Sequence, residues 1–216
     1  MSDRQKEVIV IGGGGHGKVV ISLLQELGYR VNVVLDDDES KWGSTLLAVP
    51  VEGPIEKIRA LGFDGAILAV GDNRIRLTLA ERYKTVPWIP AVHPRSWVHP
   101  SVSMGAGSVV FAGAVIQPET RMGTHCIVNT GATVDHDCFI EDGVHIAPGC
   151  HLAGGVSVGK GSFLGVGVSV IPGISIGSGV IVGAGAAVVS DLPGDVLAVG
   201  VPAKPIRSLL SGKKES

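Results

Sequence analysis

Aromatic residues are scarce, 4% of a 216-residue chain that is 45% hydrophobic, so the interior is filled by small and β-branched aliphatics rather than by rings. Net positive charge is absent too. At −2 the chain lacks the basic field with which proteins hold duplex DNA or RNA, which excludes nucleic acid as an expected partner. Cysteine is limited to three residues, and the opening Met1-Ser2-Asp3-Arg4-Gln5-Lys6-Glu7 is polar. Both features fit a reducing, cytoplasmic location better than a secreted disulfide framework. A membrane span is excluded as well: Ser162 to Ser190 carries no charge, yet Pro172 and many glycines interrupt it in a repeat unrelated to the 3.6 of a helix. What abounds is glycine, 32 residues, about 15% and roughly twice ordinary usage. It follows no every-third-residue register, and the chain is too apolar for a disordered linker, so collagen and disorder drop out. The length suits one large domain or two small ones.

Every sixth residue from Val98 is aliphatic, sixteen in a row: Val98, Met104, Val110, Ile116, Met122, Val128, Val134, Ile140, Ile146, Leu152, Val158, Leu164, Val170, Ile176, Val182 and Val188. With roughly half of residues apolar, chance gives such a run with odds on the order of one in tens of thousands. Four residues beyond each of the first fifteen anchors stands a small or β-branched residue, including Ser108, Thr120, Ala132 and Ser162. A period of six with two inward positions is the hexapeptide repeat of a parallel β-helix, three repeats to a triangular coil. The same register puts Cys126, Cys138 and Cys150 in the small inward slot. Twelve residues apart, they never stack where eighteen is required, so they read as core fillers rather than as a disulfide or metal set.

The first ninety residues read differently. Glu7–Ile11 is a buried-strand run that breaks into Gly12-Gly13-Gly14-Gly15-His16-Gly17, followed by a predicted helix over Val19–Leu27 and a second strand at Val31–Leu35 ending in Asp36-Asp37-Asp38. Gly12, Gly14 and Gly17 meet the G-x-G-x-x-G spacing, in which glycines let backbone N–H groups approach a phosphate at a helix N-terminus. A third strand at Ala66–Val70 leads into Gly71-Asp72-Asn73, with helices predicted over Pro54–Leu61 and Asn73–Lys84. This is half of a dinucleotide fold, which points to a single nucleotide or a nucleotide-linked ligand and against NAD. The expected organisation is an α/β Rossmann-like βαβαβ domain over residues 1–92, a β-helix over 93–190, and a C-terminal tail over 191–216.

Seven charged residues occur between Val98 and Ser190: Glu119, Arg121, Asp135, Asp137, Glu141, Asp142 and Lys160. Most of them cluster near His125, His136, His145 and His151. Asp135-His136-Asp137 is the best acid–base unit, because a carboxylate beside an imidazole fixes its tautomer and stabilises its protonated form; the competing reading is a solvated surface turn. His145 and His151 sit at corners, where solvated histidines are common. No set of histidines reproduces the spacing of a coil-borne zinc site, so no metal is expected.

Taken together, Gly14-Gly15-His16-Gly17, Leu35-Asp36-Asp37, Val70-Gly71-Asp72-Asn73, Asn129 ahead of Asp135-His136-Asp137, His145 and Val199-Gly200-Val201-Pro202-Ala203-Lys204-Pro205 resemble the bacterial nucleotide-sugar N-acetyltransferases of the hexapeptide-repeat superfamily, which act on UDP-linked 4-amino-sugars or GDP-perosamine. The resemblance spans almost the whole chain and implies that the coil is left-handed. It also implies a homotrimer with active sites between subunits, acetyl-CoA as co-substrate along the groove between neighbouring coils, and a role in surface polysaccharide or glycan synthesis. By the same resemblance His136 is a general base oriented by Asp137. His145 reaches the thioester, and Gly154, Gly155, Gly165 and Gly183 lie along the cofactor, with backbone N–H groups near Gly154 and Gly155 at the oxyanion or pantetheine. Gly14, Gly15, His16 and Gly17 cradle the diphosphate, with Asp36, Asp37, Gly71 and Asn73 near the base or ribose. Where relatives carry Glu in the triplet around the histidine, this chain has Asp135 and Asp137. Three alternatives stay open: O-acetylation of a sialic acid or other free sugar, a non-catalytic trimeric nucleotide-binding scaffold, and an NAD-dependent oxidoreductase, the last opposed by the missing second nucleotide half. The residues leave uracil and guanine equally open.

Overall fold

A computed structural model describes residues 5–210. Its N-terminal part is a five-stranded sheet ordered β3-β4-β2-β1-β5, built from β1 (Glu7–Ile11), β2 (Arg30–Leu35), β3 (Thr45–Leu46), β4 (Val49–Glu52) and β5 (Gly65–Leu68). The strands β4, β2, β1 and β5 run parallel, while β3 turns back against β4. Helix α1 (Gly15–Glu26) starts four residues before the expected Val19, inside the glycine run itself. Helix α2 spans Asn73–Arg82. The helix expected over Pro54–Leu61 is a 3-10 segment, Ile55–Ala60, and the β3–β4 hairpin has no counterpart in the sequence reading because Pro50 interrupts its short alternation.

From Ala91 onward the chain winds into a left-handed prism with three walls. Strands of two residues recur every six, and each up to Ser169–Val170 pairs in parallel with the strand eighteen residues on, as Val115 with Thr133 and Ile116 with Val134. The first residue of each strand faces outward and the second inward, so all fourteen anchors from Val110 to Val188 are buried. Each buried Val or Ile contributes about 1.5–3 kcal/mol. The first wall runs upward from Ala91–Val92, the second from Trp97–Val98 and the third from Ser103–Met104.

Polar residues in the small inward slot share one arrangement. Ser108, Thr120 and Ser162 donate Oγ–H to the carbonyls of Gly123, Asp135 and Gly177 at 2.8 Å. Cys126, Cys138 and Cys150 point Sγ at those of Glu141, Ala153 and Gly165. Each donor reaches a carbonyl fifteen residues ahead, at a corner, so the slot satisfies backbone that would otherwise be buried unpaired.

Of the tail expected over 191–216, residues 191–208 pack back onto the coil and 211–216 lie outside the described residues. Leu192 bridges to Ile176, Val196–Val199 extends the first wall, and Lys204–Ser208 folds back antiparallel upon it. Leu192, Ala198 and Ala203 are buried over the open end, which gives the stack the terminal cap that solenoids require. At the other end, Val109, Phe111 and Ile127 of the first wall belong to the same apolar cluster as β1 and α1, so the N-terminal sheet and the coil share a core.

Candidate active site

His136 and Asp137 stand at the corner between the second and third walls. His136 Nδ1–H donates to Asp137 Oδ2 at 2.7 Å, and both side chains are exposed. That bond, aided by the charges of Asp135 and Asp137 and opposed by slight desolvation, raises the imidazole above its ordinary value of 6.5. With Nδ1 engaged, Nε2 is left to face an incoming ligand. Gly154, one coil higher at the same corner, is the shelf for the ring: a Cβ there would lie 2.6 Å from Cε1 and Nε2. The Gly155 N–H, one of those expected near the oxyanion or pantetheine, donates to His136 O at 2.9 Å, a ladder bond that closes the corner. Asp137 takes a left-handed conformation, φ +58°. Glycine holds the equivalent turn position at Gly107, Gly113, Gly131 and every sixth residue from Gly143 to Gly185, and Glu119 and His125 are the other exceptions. This interrupted glycine column is visible in the sequence; Glu119 and Asp137 share the corner between the second and third walls, and His125 stands at the next corner.

The glycine run shows a division of labour. Gly12, at φ +115°, and Gly17 have no room for a Cβ, the first against Ala69 O and the second against Gly12 O. Gly14 and Gly15 meet nothing within 4 Å and are exposed. No side chain caps the start of α1, so that N-terminus presents free N–H groups to an anion. Asp36 faces into this loop, accepting from Gly13 N (2.6 Å), Asp38 N (2.8 Å) and Lys41 Nζ (2.9 Å). Desolvation raises its pKa, but these bonds outweigh it and hold the carboxyl below its usual range. Asp37 accepts from Ile55 N, and Gly71 is exposed.

The side chain of Asn73 faces the coil. Its Nδ2 donates to Gly161 O and Ser162 O at 2.9 Å, and its Oδ1 accepts from Arg76, so the amide joins α2 to the coil. Arg76, absent from the residues singled out in the sequence, is fully buried. Its five donors reach five neutral acceptors: the carbonyls of Val70, Gly71, His125 and Gly143, and Asn73 Oδ1. The signal was its register, three and seven residues before Leu79 and Tyr83 on the buried face of α2.

Three histidines surround this guanidinium. His16 and His145 lie with ring centroids 6.2 Å apart, His16 edge-on to Phe111 and His145 to Phe163. His125 meets Trp88. Burial first, and Arg76 second, lower each to about 4. His145 therefore sits in the seam between domains, on the first wall beside its corner with the second, paired with Asn129 at 3.3 Å. Gly165 and Gly183 lie on that corner, where a Cβ would strike the coil above. Within one chain, the glycine loop with His145 and the His136 corner occupy different edges of the prism. Among the described residues no group of three His, Cys, Asp or Glu side chains converges as a metal would need, and no helix is long and apolar enough to cross a membrane.

Residues 7–83 match the PglD N-terminal domain family and residues 155–190 the hexapeptide repeat of succinyl-transferase. Among solved structures, PerB from Caulobacter crescentus, in complex with CoA and GDP-perosamine, is 45% identical with a TM-score of 0.88, over 93% of this chain and 97% of that one. The acetyltransferase domain of PglB from Neisseria gonorrhoeae FA1090, in complex with acetyl coenzyme A, is 40% identical with a TM-score of 0.88, over 94% and 100%. The chain spans about half or less of the length of the curated relatives it matches. One of them, the UDP-N-acetylbacillosamine N-acetyltransferase of Bacillus subtilis (strain 168), is 41% identical over 112 residues, 50% of this chain and 52% of the relative.

Proposed function

The chain belongs to the PglD-type nucleotide-sugar N-acetyltransferases of the hexapeptide-repeat superfamily, and from that premise we propose that it transfers the acetyl group of acetyl-CoA to the amine of a nucleotide-linked amino-sugar. The observation that carries this reading is His136, its Nδ1 tied to Asp137 and its ring laid over Gly154 at an open edge.

In the proposed reaction Nε2 takes a proton from the sugar amine as the nitrogen attacks the thioester carbonyl. A C–N bond forms, the C–S bond breaks, and the departing thiolate recovers the proton from the imidazolium. Asp137 keeps Nδ1 as the donor and steadies the charged ring. The bare start of α1 at Gly14 and Gly15 receives the diphosphate, and Asp36 shapes that loop from within rather than reaching the ligand.

The complete site draws on two copies, because the nucleotide loop and the base lie on different edges of one prism. Exposed apolar side chains flank the second wall and its two corners: Trp97, Val166, Ile171 and Val189. They suit packing between copies in a trimer. The three free thiols, all buried, suit a reducing compartment such as the cytoplasm.

The test is thiol release from acetyl-CoA in the presence of a nucleotide-linked amino-sugar. His136→Ala is expected to lower the rate about 10²–10⁴-fold; a variant within a few-fold of wild type would show that another group takes the proton.

A further inference from the structure

Of the seven charged residues on the coil between Val98 and Ser190, five are engaged within the chain. Asp135 accepts from His136 N, Asp137 from the His136 ring, Glu141 from Lys160 N and Asp142 from Thr124, while Lys160 Nζ pairs with Asp142. Glu119 and Arg121 are the other two. Among the described residues neither side chain makes a hydrogen bond or an ion pair, although only one residue separates them and both line the same hollow.

That hollow, of about 250 Å³, opens on the third wall, and its remaining lining is Asp137, Cys138 and Phe139. Asp137, the partner of the base, thus forms part of its rim. Phe139, at an outward strand position, leaves 49% of its surface exposed in a chain with four phenylalanines. An uncovered ring beside an unneutralised carboxylate and an unneutralised guanidinium presents an apolar platform with one hydrogen-bond acceptor group and one donor fork. A pyranose is complementary to such a set. One face of the ring is C–H and packs on an aromatic surface, while its rim carries hydroxyls that both donate and accept.

We propose that this hollow is the subsite for the sugar ring of the acceptor, with Phe139 beneath its C–H face and Glu119 and Arg121 holding its rim so that the amine is turned toward His136. The proposal rests on the transfer reaction above and adds the residues that select the amino-sugar.

Glu119 also allows function to be separated from folding. It adopts φ +61°, where glycine is at ease and a branched chain is not, so Glu119→Gly is expected to unfold no earlier than wild type. Steady-state kinetics would be measured for Glu119→Gly, Arg121→Met and Phe139→Leu with the nucleotide-linked amino-sugar as acceptor. The expected result is a tenfold or greater rise in the acceptor's KM, with the KM of acetyl-CoA within twofold of wild type. The inhibition constant of the bare nucleoside diphosphate should stay unchanged, because the start of α1 binds that part. An acceptor KM within twofold of wild type in all three variants would overturn the subsite. So would a selective rise in the KM of acetyl-CoA, which would assign the hollow to the acyl carrier. Absence of turnover by the wild-type enzyme with any such acceptor would overturn the transfer reaction itself, and the subsite with it.

Discussion

His136 is held by two neighbours of opposite kind, a carboxylate that pulls on its Nδ1 and a glycine that stays out of the way of its ring. Gly154 is not in the left-handed region, so an alanine meets no positive-φ strain there; what alanine lacks is room, its Cβ falling 2.6 Å from the imidazole. Gly154→Ala is therefore expected to leave the coil folded and displace the ring, and a displacement of about 1 Å costs on the order of 10²-fold in rate. Circular dichroism would confirm the fold, and thiol release would read the rate. An unchanged rate would mean that the ring has a second productive seat. At this scale the bond between His136 and Asp137 was legible because the two residues are adjacent in sequence. Arg76 was not, because an arginine on a helix is ordinarily a solvated charge, and the exposed Ile75 beside the buried Arg76 inverts the pattern that hydropathy follows.

At the level of the strand and corner, the coil depends on hydroxyls and thiols as much as on aliphatics. Ser162 Oγ both donates to Gly177 O and accepts from Val180 N at 3.0 Å. Ser162→Ala would leave two buried backbone groups unpaired, at about 1–3 kcal/mol each, and is expected to lower the denaturation midpoint well beyond what loss of one exposed hydroxyl would do. Ser162→Cys, which restores the donor present at Cys126, Cys138 and Cys150, should recover part of the loss; equal midpoints for wild type and Ser162→Ala would show that water fills the slot. Sixteen aliphatic anchors at a period of six made the walls readable from the sequence alone. The closing segment from Leu192 to Ser208 escaped the same reading because its strands lengthen to four and five residues and abandon the period. The β3–β4 hairpin escaped because four residues with a proline carry too little alternation to register.

The molecule as a whole is joined across a seam that holds neutral histidines around a buried guanidinium. His16, His125 and His145 have folded-state values of about 4, below the 6.5 of an exposed imidazole. The unfolded chain therefore binds more protons between those two values, so this contribution to stability is present at neutral pH and is lost as pH falls from about 6.5 toward 4. Denaturant titrations at pH 7.0, 5.5 and 4.5 should show a progressive loss, shallower in His125→Phe, which keeps the contact with Trp88 but takes up no proton. A pH-independent midpoint would place water in the seam. Half of this arrangement was visible beforehand: His16 and His145 stood in recognisable motifs, but their meeting depends on how α2 lies on the coil, a tertiary relation that no local pattern encodes.

Stacking at eighteen residues also limits how this chain can change length. An insertion of one full coil below Asp135 raises everything above it by a single storey and leaves each side chain facing as before. An insertion of six, though it preserves every anchor and slot, rotates the upper storeys by a third of a revolution. His136 would then point along the wrong edge of an otherwise undamaged tower, so variation in height is tolerable only in whole revolutions.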